Sequence, residues 1–197
     1  MQKPQVLAKN INNLTDARYF SAMGVDYLGF ELSASNAESV APALVKQLKG
    51  WVTGPECIGS FSGFESVDKI KELMLSAELD GVCLEAFAPE GLGEVLSSAL
   101  IFREAPVQIL GEITLDPTER LIINYRDVQE LESALIQYPD LYNYKLWLDG
   151  PMDQSLFDSG VFPRTEGIVV RGGEEEKIGF KSYEELDFIF DQLEKIL

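Results

Sequence analysis

Short apolar strands alternate with amphipathic helical stretches along almost the whole chain, and that rhythm limits the fold more than any other feature. A helix between two strands carries the chain back to its starting edge, so successive strands run parallel. The first unit shows the pattern in full. Val6-Leu7-Ala8-Lys9 is a strand, Asn13 caps a helix that turns Leu14, Ala17 and Phe20 to one side, and Tyr27-Leu28-Gly29-Phe30 is the next strand.

Further strands are read at 57–61, 81–84, 107–110, 145–148 and 167–170. Helices are read at 39–49, from Ser66 through Ala77, near 90–100, at 127–138, and from a Ser182 capping box to a closing face of Leu186, Ile189, Phe190, Leu193 and Leu197. That makes seven strands and six helices. Residues 121–125 read as an additional strand with no helix before it, either a hairpin partner of the fifth strand or the filling of a gap in the ring. Residues 150–166 give only loop signals, and Glu174-Glu175-Glu176 reads as a solvated turn. The expectation is an α/β chain, one domain over 1–197, with a (β/α)8 TIM-barrel-like ring that is incomplete or distorted, since fewer than eight units are counted. An open barrel edge of that kind favours a second copy of the chain as its cover.

Composition narrows the function classes. Of 197 residues 46% are hydrophobic and 25% charged, as in ordinary globular domains. There is no apolar run of the ~20 residues that span a bilayer, and residues 1–5 lack a secretion signal, so a cytoplasmic protein is expected. A net charge of −17 speaks against nucleic acid and anionic membranes as partners. Cys57 and Cys83 sit in strands and read as free buried thiols. The chain has no histidine, which removes Ser-His and Cys-His nucleophiles and imidazole-held zinc. Acid–base work falls to Lys, Asp, Glu, Cys or Tyr. No metal and no cofactor is expected, although Glu31, Glu38, Glu85 and Asp149 could hold Mg²⁺ or Ca²⁺ if they converged. Trp51 and Trp147 read as packing residues.

Several motifs resemble those of phosphoribosylanthranilate isomerase, a tryptophan-biosynthesis enzyme that carries out an Amadori rearrangement. Aligned through Asn13-Leu14-Thr15-Asp16-Ala17, the chain sets Leu7, Lys9 and Asn10 against the family's K-x-C-G, so Lys9 stands where the resemblance puts the general base, a cysteine. The substrate-binding arginine of the family falls on Glu38. Gly59-Ser60-Phe61 resembles G-V-F, and residues 79–86 resemble L-D-x-V-Q-L-H-G with Cys83 for Gln and Glu85 for His. Leu146-Trp147-Leu148-Asp149 resembles the sixth-strand L-L-L-D, whose aspartate is the family's general acid. Beyond it roughly 40 residues of the family pattern are missing, about one βα unit. The likeness resumes at Gly167-Ile168-Val169-Val170-Arg171-Gly172-Gly173, where the resemblance implies a phosphate loop, here followed by three glutamates.

The resemblance implies Lys9 and Asp149 as catalytic groups, with Glu38, Glu85, Arg171, Gly172 and Gly173 as substrate-binding residues for a small anionic or sugar-like ligand. Two readings compete at the barrel mouth. In one, Lys9 is a base or Schiff-base nucleophile and Asp149 the acid, acting on a sugar-derived carbonyl. In the other, Lys9 is ringed by Glu85 and Asp149, held as ammonium, and fills a former substrate pocket as an ion pair. The second is preferred: an isomerase-like barrel that has lost the parent activity and acts as a binding or structural protein.

Overall fold

In the computed structural model, residues 3–62, 65–88, 96, 99–114, 116, 118–172, 175–177, 180–181 and 183–195 are described. The strands are β1 (Gln5–Lys9), β2 (Tyr27–Glu31), β3 (Glu56–Phe61), β4 (Gly81–Glu85), β5 (Leu100–Pro106), β6 (Arg120–Asn124), β7 (Lys145–Asp149) and β8 (Gly167–Arg171). They pair in chain order, all parallel, and β8 returns to β1 from Gln5–Gly167 through Lys9–Arg171, which closes the barrel. The helices are α1 (Leu14–Ala22), α2 (Pro42–Trp51), α3 (Val67–Ala77), α4 (Val128–Gln137), α5 (Gln154–Phe157) and α6 (Glu184–Glu194).

Alternation along each strand divides the core in two. Leu7, Tyr27, Ile58, Cys83, Phe102, Ile122, Trp147 and Val169 fill the barrel interior. The intervening residues, such as Ala8, Leu28, Val82 and Leu148, belong to the larger cluster that the helices cover. Tyr27, Phe102 and Trp147 meet edge to face at centroid distances of 5.1–5.7 Å, the arrangement that ring quadrupoles favour. Gly167 makes room for the largest of them, since a Cβ there would stand 2.6 Å from three atoms of the Trp147 ring.

Local chemistry starts the helices where the sequence places them. Asn13 accepts from the Asp16 amide, Ser66 from Lys69 and Asp127 from Glu130; each satisfies an amide that lacks an intrahelical partner. The closing helix differs. α6 follows Tyr183 without a side-chain cap, and Ser182 lies outside the described residues. Its buried face is Leu186, Ile189, Phe190 and Leu193, as the spacing predicts. It is anchored to α1 by Tyr183, which stacks on Tyr19 at 3.9 Å and donates to Asp16 at 2.7 Å.

The expected missing unit is not found, because the ring holds eight strands. The fifth strand is residues 100–106, whereas 107–109 form a single 3-10 turn, and residues 120–124 are a full barrel strand between β5 and β7. Two connections hold little helix among the described residues: a 3-10 turn at 107–109 between β5 and β6, and the four-residue α5 between β7 and β8. The closed ring leaves no open barrel strand for a second copy to cover, which removes the ground on which a homo-oligomer was expected. The helix read near 90–100 falls largely outside the described residues, and Leu100 already belongs to β5.

Two smaller corrections concern the surface. Of the glutamate run, Glu175 and Glu176 lie in a strand, Glu175–Lys177, that pairs antiparallel with Phe180–Lys181 and not in a turn, and Glu174 lies outside the described residues. Trp51 is 64% exposed, with the Arg18 guanidinium over its ring at 5.5 Å, so it packs against a cation and water and not in the core. Among the described residues no helix is long and apolar enough to cross a membrane.

Candidate functional site: the charged mouth of the barrel

All eight strands end on one rim, and β/α barrels carry their chemistry there because the loops above can vary without disturbing the ring. The strand ends are Lys9, Glu31, Phe61, Glu85, Pro106, Asn124, Asp149 and Arg171. Backbone geometry helps set the first of them. Asn10 adopts φ 60, so the chain turns away immediately after Lys9; asparagine tolerates this left-handed conformation better than most residues. Gly29 lies across from Lys9, where a Cβ would press on the lysine stem at 3.3 Å.

Lys9 is only 6% exposed. Its Nζ donates to Glu104 Oε2, and the Cys83 thiol donates to the same oxygen at 3.5 Å. Asn124 Nδ2 bridges two carboxylates, donating to Glu104 Oε1 at 2.9 Å and to Asp149 Oδ2 at 3.1 Å. Arg171 grips Asp149 with both terminal nitrogens, the second at 2.6 Å, the bidentate geometry that gives such pairs their strength. Lys9, Glu104, Asn124, Asp149 and Arg171 thus form one continuous network in which two cations balance two carboxylates.

Electrostatics fixes the protonation of its first pair. Burial by itself would push the Lys9 pKa down, but the negative groups around it raise it well above the ordinary lysine value. Burial holds the Cys83 thiol up at about 12, so that group is neutral at pH 7 and the effect falls to Glu104, with Asp149 behind it. Burial opposes ionisation of Glu104 too, yet the Lys9 charge and the hydrogen bonds from Lys9 and Asn124 bring its pKa below the ordinary value. The hydrogen bond to Asp149 raises Arg171 against the smaller effect of burial. An ammonium in this position is neither a base nor a nucleophile.

A cavity of about 400 Å³ opens beside the network, over the tips of β1 to β5. Lys9, Glu31, Ser60, Cys83, Glu85 and Glu104 line it, together with Ser33, Asn36 and Ser62 from the loops after β2 and β3. The Ser62 Oγ is buried there without a hydrogen-bond partner among the described residues. Its amide donates to Ser33 Oγ at 2.6 Å, and Glu31 accepts from the Ser33 amide at 2.8 Å, so the loop after β2 is fastened to the rim.

The structure therefore brings Lys9, Asp149 and Arg171 together and adds Glu104 and Asn124, which sequence reasoning missed. The hydrogen-bonded carboxylate partner of Lys9 is Glu104 and not Glu85, which stands exposed at the end of β4 and lines the cavity. Glu38 is exposed and accepts from Asn10 Nδ2 at 2.9 Å. Gly172 follows Arg171, and Gly173 lies outside the described residues. Among the described residues no three acidic or thiol side chains converge to hold a metal, Glu31, Glu38, Glu85 and Asp149 included. Strand order also revises the resemblance. Asp149 ends the seventh strand, and the sixth ends in Asn124, an amide with no acidic proton to give.

Fold and rim define an eight-stranded β/α barrel with a polar, charge-paired mouth. The structure is similar to phosphoribosyl anthranilate isomerase from Thermus thermophilus, with a TM-score of 0.77 over 98% of this chain and 100% of that one at 19% identity. It is equally similar to the phosphoribosyl anthranilate isomerase from Thermotoga maritima, with a TM-score of 0.77, 18% identity and coverage of 98% and 99%. A 3-keto-L-gulonate-6-phosphate decarboxylase from Vibrio cholerae follows at 0.65 and 15% identity, each chain covered completely. These likenesses establish the fold and bear out at that level the resemblance read from the sequence. No protein-family model matches the chain, and no curated protein matches it by sequence.

Proposed function

We propose that this chain is an isomerase-like barrel in which the parent reaction no longer runs and whose mouth serves as a binding site. The observation that carries this reading is the engagement of both groups that the sequence nominates for acid–base work. The Lys9 ammonium is held by Glu104, and the Asp149 carboxylate by Arg171 and Asn124. A general base needs a free lone pair and a general acid needs a proton to give. A lysine with a raised pKa offers no lone pair, and both oxygens of the Asp149 carboxylate are already taken up by the Arg171 guanidinium and the Asn124 amide. The cavity beside the network supports binding over a purely structural role, because a filled mouth would leave no such space.

The alternative, a carbonyl- or amine-directed enzyme with Lys9 as base or nucleophile and Asp149 as acid, requires the same pair to open. Purified full-length protein given phosphoribosylanthranilate should produce no turnover above background, and borohydride with small aldehydes should leave no adduct on Lys9. Measurable conversion that Asp149→Asn abolishes, or a mapped Lys9 adduct, overturns the reading.

A further inference from the structure

The charge balance of the buried network leaves the Lys9 ammonium dependent on one side chain. Lys9 and Arg171 face Glu104 and Asp149 across the barrel mouth. Arg171 grips Asp149, and a guanidinium keeps its proton at any pH the fold meets. Asp149 is therefore already balanced, and Glu104 is the carboxylate left for Lys9. The groups that β2, β3 and β4 bring to the cavity beside it do not replace that charge. Gly29 has no side chain, Ser60 is neutral, and the Cys83 thiol keeps its proton. Glu31 accepts from the Ser33 amide, and Glu85 is exposed, where water and salt screen its charge.

Without the Glu104 charge the network would hold two cations for one carboxylate, and only Lys9 can correct the excess by releasing a proton. Burial acts in the same direction, since it disfavours an ammonium. Lys9 and Glu104 both line the cavity of about 400 Å³, the size of a small-molecule site. A neutral lysine amine with such a space beside it is a nucleophile toward carbonyl carbon. We infer that Glu104 is the gate on a latent carbonyl-capturing site: its carboxylate, hydrogen-bonded to Lys9 at the cavity wall, keeps that amine from taking small aldehydes and ketones as an imine. This deepens, and rests on, the reading of the mouth as a binding site whose chemistry is silent. In the gated step the Lys9 nitrogen adds to the carbonyl carbon. The C–O bond then breaks, and the carbonyl oxygen leaves as water with both amine protons.

Full-length Glu104→Gln, which keeps the shape and removes the charge, tests this with dihydroxyacetone, a small neutral ketone. Borohydride at near-neutral pH adds hydride to the imine carbon and fixes the adduct for mapping by mass spectrometry. Lys71, an exposed lysine of α3, is the reference in the same sample. Each pKa unit by which Lys9 falls below an ordinary lysine raises its amine fraction about tenfold, so its labelling should exceed that of Lys71 by about tenfold or more. The parent and Glu104→Asp, which retains a carboxylate, should show no Lys9 adduct. Near-UV circular dichroism of the packed Tyr27, Phe102 and Trp147 rings reports folding, and Glu104→Met is read by the same criterion if the glutamine variant loses that signal. Loss of the signal in both makes Glu104 a structural residue and overturns the inference. So does a folded variant whose Lys9 is labelled no more than Lys71, or an equal Lys9 adduct in Glu104→Asp. A Lys9 adduct on the parent overturns the proposed function as well, whereas its absence from the folded glutamine variant leaves that reading standing.

Discussion

Replacing Glu104 by glutamine asks how firmly the mouth depends on its central ion pair. The Lys9 side chain is 8% exposed and that of Glu104 22%, so the pair is largely out of water. Removing one member of a buried pair costs about 3–5 kcal/mol, mostly for the charge left behind. Two features reduce this here. The glutamine oxygen can still accept from Lys9, and Asp149 remains as a more distant negative charge. The expected loss is therefore about 2–3 kcal/mol, a urea midpoint lower by roughly 1 M for a chain of this size. Lys9→Met combined with Glu104→Leu should lie within about 1 kcal/mol of the parent, because no charge is stranded. The pH dependence supplies a second signature. In the parent, Lys9 titrates above its unfolded value of 10.5, so its stabilisation is intact below that pH and fades as pH climbs through the folded value. In Glu104→Gln, burial prevails and the folded value drops below the unfolded one, so this variant gains stability as pH rises toward 10.5. The gap between the two proteins should narrow on the alkaline side. A glutamine variant within about 0.5 kcal/mol of the parent at neutral pH, with no such narrowing, would refute the claim that the pair organises the mouth.

Other outcomes follow from the same coordinates. Gly167→Ala puts a methyl against the Trp147 ring and should cost about 1–3 kcal/mol in urea melts. Arg103→Met strands Glu119, which accepts from Arg103 at 2.8 Å and is 5% exposed; about 3–5 kcal/mol should be lost, with much of it regained in Arg103→Met/Glu119→Leu. The lowered pKa of Glu104 stabilises the fold above the unfolded value of 4.5 and is lost as pH falls through the folded value, so acid unfolding curves of Glu104→Gln should be flatter in that window. Burial holds Cys57 up at about 11 and Cys83 at about 12, so a disulfide-exchange reagent at neutral pH should label both thiols only as the chain unfolds.

The sequence by itself determined the local and periodic features. Alternation of strand and helix established the parallel barrel, Asn13 and Ser66 marked helix starts, and Lys9 and Asp149 stood at strand ends because apolar runs stop there. These depend on neighbours a few residues away, which a linear reading contains. β5 was misplaced for a reason of the opposite kind. Leu100-Ile101-Phe102-Arg103-Glu104-Ala105-Pro106 carries two charges in mid-strand, and such a run reads as a surface segment. Only closure of the ring supplies their partners: Glu119 outside the barrel for Arg103, Lys9 inside it, 95 residues away, for Glu104. Asn124 shares that history, since its amide means little until β5 and β7 set a carboxylate on each side of it. The count of strands and the partner of Lys9 were decided by tertiary structure, because burying a charge is tolerable only where distant segments converge to compensate it.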